Sequence, residues 1–239
     1  FTLYQSYASL MRNHRELRLM LVPSNVVSAI HGYTRRQLAV PTELKTIGAD
    51  ARREEATAGV RKPRLTVLMV GETARSANFS LNGYTRDTNP ELASRGVLSF
   101  TNVSSCGTAT AVSLPCMFLD VGKEGYKDGM ALRREGLLDV LQRVGVSVLW
   151  RDNNSGCKGI CDRVPNEKLN NQKTLGLCRA DECYDEILLQ DLQAYLDQQQ
   201  RDSIVVLHMK GSHGPSYSKR YPPAFERFGP VCNNNQLEQ

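Results

Sequence analysis

The chain has 239 residues, 41% hydrophobic and 23% charged, which is enough for one sizeable core plus an additional segment. Thirty basic against 25 acidic side chains leave a net charge of +5, a mild excess that suits a membrane surface or anionic substrates and does not mark a nucleic-acid binder. No apolar run approaches the roughly 20 residues of a membrane span, and no signal-peptide pattern opens the chain. Because it starts inside a helix-like pattern rather than at a methionine, an upstream segment is expected to have been cut away.

From Tyr4 to Leu21, apolar residues recur at Tyr7, Leu10, Met11, Leu17 and Leu21, with Arg12, Arg15 and Arg18 between them. This is a basic amphipathic helix, able to rest on a membrane surface or to pack on its own domain. Pro23-Ser24-Asn25 breaks it and offers a cap for a second helix through Tyr33. Residues from Thr34 to Lys62 are polar and read as a tether wrapped on the domain, so the expected division is 1–62 as linker region and 63–239 as part of a catalytic domain.

Leu65 to Val70 has the length and apolar content of a buried strand, and it stops at Gly71 with Glu72 just beyond. Ligands of open α/β sheets lie past the carboxyl ends of strands, so Glu72 stands in a favoured place for chemistry, although a plain surface carboxylate fits the same pattern. A second run, Val97 to Val103, predicts a strand leading into Cys106-Gly107-Thr108-Ala109-Thr110. A hydroxyl there, at the start of a helix, would meet free N–H groups that favour phosphate, but Thr108 and Thr110 also suit simple capping. A carboxylate and a hydroxyl at two such strand ends can share one metal ion.

Further on, the pattern predicts a helix over Ala131–Val144, a strand over Val146–Trp150, a helix over Asp181–Gln200 and a strand over Ser203–Met209. Alternating helices and strands imply an α/β fold with a doubly wound, mainly parallel sheet covered on both faces. After the last strands come Arg151-Asp152-Asn153-Asn154-Ser155-Gly156-Cys157-Lys158, with amides and a cation suited to phosphate oxygens, and the Gly-rich loop bearing His213. His208 lies within its strand and reads as a packed residue, while His14 and His31 belong to the linker.

There are seven cysteines, of which Cys106 and Cys116, Cys157 and Cys161, and Cys178 and Cys183 form close sequential pairs. Such pairs point to disulfides made in an oxidising compartment such as the periplasm. A zinc-thiolate site is the rival reading, but no Cys-x₂-Cys unit occurs. Cys232 is left over.

Four motifs in order, GETARSANFSLNGYTRDTNP, SCGTATAVSLPCMF, LWRDNNSGCKG and MKGSHGP, resemble those of the bacterial phosphoethanolamine transferases that modify lipid A, a family that includes the mobile colistin-resistance proteins. The resemblance implies a fold of alkaline phosphatase and sulfatase type, truncated here at its C-terminus, at the periplasmic face of the inner membrane. It implies Zn2+ held by Glu72 and Thr110, with Thr110 as nucleophile, and Asn154, Lys158 and His213 around the head group. Phosphatidylethanolamine would be the donor and lipid A the acceptor, with the enzyme a monomer whose product confers polymyxin resistance. The family's Asp-His zinc pair is found nowhere in this chain, its membrane bundle is absent, and Cys232 would pair beyond Gln239, so a fragment inactive by itself is expected. Alternatives are a related transferase acting on a core sugar or periplasmic glucan, and a disulfide-rich periplasmic domain without turnover. A sulfatase nucleophile motif, Cys/Ser-x-Pro-x-Arg, does not occur.

Overall fold

The computed structural model describes residue 10 and residues 23–38, 43–53, 62–172, 174–179, 182–231 and 233. It separates into two compact units, one of residues 1–43, 214–218 and 226–239, and the other of residues 44–213 and 219–225. In the first unit a helix, α1, runs Ser24–Leu38, five residues longer than its sequence pattern predicts. The amide of Val27 donates to the carbonyl of Pro23 at 3.0 Å, so the proline closes the first turn from outside. The expected helix over Tyr4–Leu21, apart from Leu10, and the expected pairing of Cys232 lie outside the described residues. No helix among the described residues is long and apolar enough to cross a membrane.

The second unit is built on four parallel strands, β1 (Leu65–Val70), β2 (Ser147–Asp152), β3 (Asn166–Lys168) and β6 (Ser203–His208), in the order β1-β6-β2-β3. Two further strands, β4 (Cys178–Arg179) and β5 (Glu182–Cys183), form a small antiparallel hairpin. The sheet's helical cover comes from α2 (Thr110–Phe118) and α3 (Leu137–Arg143) on one face, and from the 3₁₀ turn Asp185–Leu189 with α4 (Leu192–Asp197) on the other.

Alternation along the strands sorts the core into two layers. Val148, Trp150, Ile204 and Val206 pack with Leu114, Phe118 and Leu138, whereas Leu149, Val205 and Leu207 pack with Ile187, Leu188 and Leu192. All of β6 is buried, as expected of a central parallel strand. The prediction of a buried β1 is corrected, because Leu65, Val67 and Met69 remain 48%, 45% and 63% exposed. β1 pairs on one side only, and α4 covers the face of β6 and β2 without reaching it.

Three other expectations are corrected. Val97–Val103 forms no strand: no described segment pairs with it, and Leu98, Phe100 and Val103 stay exposed. The helix expected from Ala131 begins only at Leu137, after a 3₁₀ turn over Met130–Leu132 and Gly136. Of the helix expected over Asp181–Gln200 only Leu192–Asp197 is α-helical: Glu182–Cys183 is a strand, Asp185–Leu189 a 3₁₀ turn, and Asp191, whose φ of 56° lies in the left-handed region, separates that turn from α4.

The amide of Lys45 donates to the carbonyl of Arg133 at 2.8 Å, and Arg143 donates to the carbonyl of Ile47 at 2.8 Å, so residues 44–53 lie against the domain. At the start of α3, Asp139 (9% exposed) accepts the Gly136 amide at 2.7 Å and two guanidinium bonds from Arg163 at 2.7 and 2.9 Å. Burial pushes its carboxyl upward, but Arg163 and the amide more than offset that and hold it below the usual aspartate value. Asp139→Ala strands the Arg163 charge, and chemical denaturation is expected to show a loss of about 3 kcal/mol. The depressed folded pKa also fixes the sign with pH: this contribution is complete above about pH 4, and it is lost as pH falls through the lower folded value.

Candidate active site

Glu72 follows β1, and Thr110 is the first residue of α2 with Ala109 as its cap. The Thr110 hydroxyl donates to Glu72 Oε2 at 2.7 Å, joining residues 38 positions apart. Asn154 Nδ2 donates to the same oxygen at 3.3 Å, and the Thr73 hydroxyl donates to Glu72 Oε1 at 2.7 Å. Burial pushes the Glu72 carboxyl upward, but the Thr73 and Thr110 hydroxyls, the charge of nearby His213 and the Asn154 amide together bring it below the ordinary glutamate value. The group stays anionic and gathered among donors. Thr73 holds a positive φ of 54°, a strained conformation for a β-branched residue and one that concentrates at functional sites.

The helix that presents Thr110 is fixed from three directions. A disulfide joins Cys106 in the preceding loop to Cys116 within α2. Pro115 removes the amide that would bond to the carbonyl of Ala111, and the Tyr126 hydroxyl takes that carbonyl at 3.1 Å instead. Leu114 and Phe118 are buried in the core below. Thr110 therefore sits at the open start of a well-anchored helix, where unpaired amides favour anions. Thr108 lies outside the helix, before its cap.

The loop after β2 carries Asn154 and Lys158. Buried Asp152, 2% exposed, accepts the amides of Asn154 at 2.8 Å and Gly156 at 3.1 Å, the Trp150 indole at 3.0 Å, and a bond to His208 Nδ1 at 2.8 Å. Burial raises its carboxyl, and these bonds, His208 foremost, bring it below the usual value. Sequence reasoning passed over Asp152, although it ends a strand as Glu72 follows one and the same rule would have found it. Asn154 Nδ2 also donates to the carbonyl of Met209 at 3.0 Å, so engaging a substrate would require it to yield the longer bond to Glu72. Lys158 Nζ instead donates to the Ser155 carbonyl and hydroxyl, both at 2.7 Å, and a second disulfide joins Cys157 to Cys161 around it. His213 follows β6 in a loop whose Ser212 amide donates to the Glu72 carbonyl at 3.0 Å. Glu72, Thr110, Asn154 and the His213 loop are thus brought together, while Lys158 is turned onto its own loop. His208 is buried in the core as read from its strand, and His31 lies exposed on α1.

The arrangement offers a hydroxyl at a helix start, a carboxylate that accepts its hydrogen bond, and an amide donor on the same oxygen, which is equipment suited to group transfer at phosphorus or sulfur. A family profile described as Sulfatase matches residues 64–239. The chain belongs to the sulfatase family. A second profile, described as Phosphoethanolamine transferase EptA/EptB, matches residues 1–38. Phosphoethanolamine transferase EptA of Escherichia coli strain K12 is 48% identical over 235 residues, covering 98% of this chain and 43% of that protein. Phosphatidylethanolamine transferase Mcr-1 of Escherichia coli is 41% identical over 243 residues, 97% of this chain and 44% of that protein. Among solved structures, the integral membrane lipooligosaccharide phosphoethanolamine transferase A of Neisseria meningitidis superposes with a TM-score of 0.80 at 40% identity, over 98% of this chain and 44% of its own. The chain spans less than half the length of each of these relatives. The α/β sheet expected from the motifs is the sulfatase-type sheet observed.

Proposed function

We propose that the chain is the nucleophile-bearing part of a transferase that moves phosphoethanolamine from phosphatidylethanolamine to lipid A at the periplasmic face of the inner membrane. The observation that carries this reading is the 2.7 Å bond from Thr110 to Glu72 at the start of α2. A hydroxyl whose O–H points at a carboxylate leaves its lone pairs free for an incoming phosphorus. Thr110 Oγ1 attacks phosphorus, the bond from phosphorus to the diacylglycerol oxygen breaks, and diacylglycerol leaves with a proton. A lipid A phosphate oxygen then attacks the same phosphorus, the bond from phosphorus to Thr110 Oγ1 breaks, and Thr110 takes up the proton that the lipid A phosphate gives up. Lipid A so modified carries less negative charge and binds cationic polymyxins less well.

Zinc fits the donor set that the structure presents. Glu72 Oε2 and Thr110 Oγ1 are both oxygen donors and lie 2.7 Å apart, and Glu72 is held anionic. Bound there, a zinc ion would supply a fixed positive charge that eases loss of the hydroxyl proton and balances charge on the phosphate. Two protein ligands are fewer than the three or more that zinc normally takes, so the rest of the set belongs to other parts of the enzyme. The division into a linker region over 1–62 and a catalytic region over 63–239 is part of the same proposal, as is a monomeric state.

Incubating the intact enzyme with phosphatidylethanolamine and quenching before acceptor is added tests the covalent step. Peptide mass spectrometry is expected to find phosphoethanolamine on Thr110. A modification on Thr108 instead, or none while transfer proceeds, overturns the assignment.

A further inference from the structure

β6 ends at His208, and the Met209 amide still reaches the Val70 carbonyl of β1 at 3.0 Å, but the next two amides, of Lys210 and Gly211, lie past the ladder and must be satisfied elsewhere. Asp185 takes them. Its Oδ1 accepts the Lys210 amide at 2.7 Å and its Oδ2 accepts the Gly211 amide at 2.8 Å, while Asn153 Nδ2 adds a third bond to Oδ1 at 2.8 Å. Gly211 holds a φ of 51°, and a Cβ there would lie 2.6 Å from the Glu72 carbonyl oxygen. The loop is therefore pressed against the backbone of Glu72, and moving one moves the other.

A second grip acts on the far end of the same loop. Arg220 Nε donates to the His213 carbonyl at 2.7 Å, and its guanidinium pairs with Glu182 at 2.8 Å. Glu182 lies on β5, three residues before Asp185, and β5 is tied to β4 by the Cys178–Cys183 disulfide. Both grips thus rise from residues 182–185, a stretch that makes no contribution of its own to the Glu72–Thr110 pair.

We propose that Asp185 is a positioning residue: with Glu182 acting through Arg220, it clamps the 209–213 loop so that His213 and the Glu72 backbone hold one fixed relation. Its consequence for turnover rests on the phosphoethanolamine-transfer reading, but the clamp itself does not. Charge-assisted bonds from a carboxylate to two successive amides are short and directional, which suits them to fixing a loop. Nothing in the sequence pattern marks Asp185, because its partners lie more than twenty positions away.

The test uses Asp185→Asn, which presents a donor where one of the loop amides needs an acceptor. The first readout is the NMR signal set of the His213 imidazole in the 239-residue chain, assigned with His213→Gln. Asp185→Asn is expected to shift and broaden those signals while leaving the His208 signals in place. Arg220→Gln, which releases the other grip, is expected to move them in the same manner. Asp120→Asn, the same chemical change at a residue paired with Arg134 on the surface, leaves them unchanged. The second readout is transfer by the intact enzyme, where kcat of Asp185→Asn is expected to fall by about tenfold or more, with KM for the phosphatidylethanolamine donor changed much less. His213 signals that superimpose on the parent's in folded Asp185→Asn overturn the proposal, and so does a parental kcat. Should Asp185→Asn fail to fold, Arg220→Gln decides by the same signals. A parent enzyme that transfers no phosphoethanolamine overturns the functional reading alone, and the imidazole signals still decide the clamp.

Discussion

Thr110→Ala is expected to abolish lipid A modification, with transfer reduced by on the order of 10³-fold or more, because Thr110 is the residue proposed to form the covalent intermediate. Thr108→Ala is expected to keep most activity. Only Thr110 is the first residue of α2 and donates to Glu72, whereas Thr108 lies ahead of the cap residue Ala109. Thr110→Ser should retain part of the activity, because the oxygen survives but the β-branch that restricts its rotamer is gone. The measurement is the mass of lipid A from cells expressing each variant at matched protein levels. Should Thr110→Ala still modify lipid A while Thr108→Ala does not, the nucleophile is Thr108 and the reading of α2 is wrong.

Glu72→Ala is expected to be as damaging as Thr110→Ala. The carboxylate is the acceptor for Thr110, Asn154 and Thr73 at once, so its removal leaves three donors without their shared partner. It also removes one of the two donors proposed for zinc. Calorimetric titration of the 239-residue chain should show only weak zinc binding, consistent with two ligands, and that binding should vanish in Glu72→Ala. A tight site that survives Glu72→Ala would place the metal elsewhere. The three described disulfides engage Cys106, Cys116, Cys157, Cys161, Cys178 and Cys183, which leaves those sulfurs unsuited to hold it.

Much of this was legible in the sequence. A short apolar run ended by Gly71 marked β1 and put Glu72 at a strand end, and close cysteine spacing marked three pairs that the structure closes. Both signals are local: they depend on period and spacing over a few residues, and local signals survive whatever the rest of the chain does. The four motifs carried the family for a related reason, since each is a strand end or a helix start whose residue types are set by the chemistry beside it.

What the sequence by itself determined was therefore the parts of the site, while the tertiary structure decided their arrangement. Glu72 lies 38 positions from Thr110 and 82 from Asn154; the parallel order β1-β6-β2 puts Glu72 and Asn154 past the same ends of the strands, and the packing of α2 on the sheet brings Thr110 to them. β1, paired on one side only, stays exposed from Leu65 to Met69, and Val97–Val103 finds no strand partner among the described residues, because a strand needs a neighbour as well as an apolar sequence. Asp191 split a helix that periodicity would have carried through into a 3₁₀ turn and α4, by adopting a backbone angle that no pattern of polarity encodes. Asp185 and Arg220 became legible last of all. A carboxylate or guanidinium on a loop looks the same in sequence whether it faces water or a backbone amide, and only folding shows which amides were left to be satisfied.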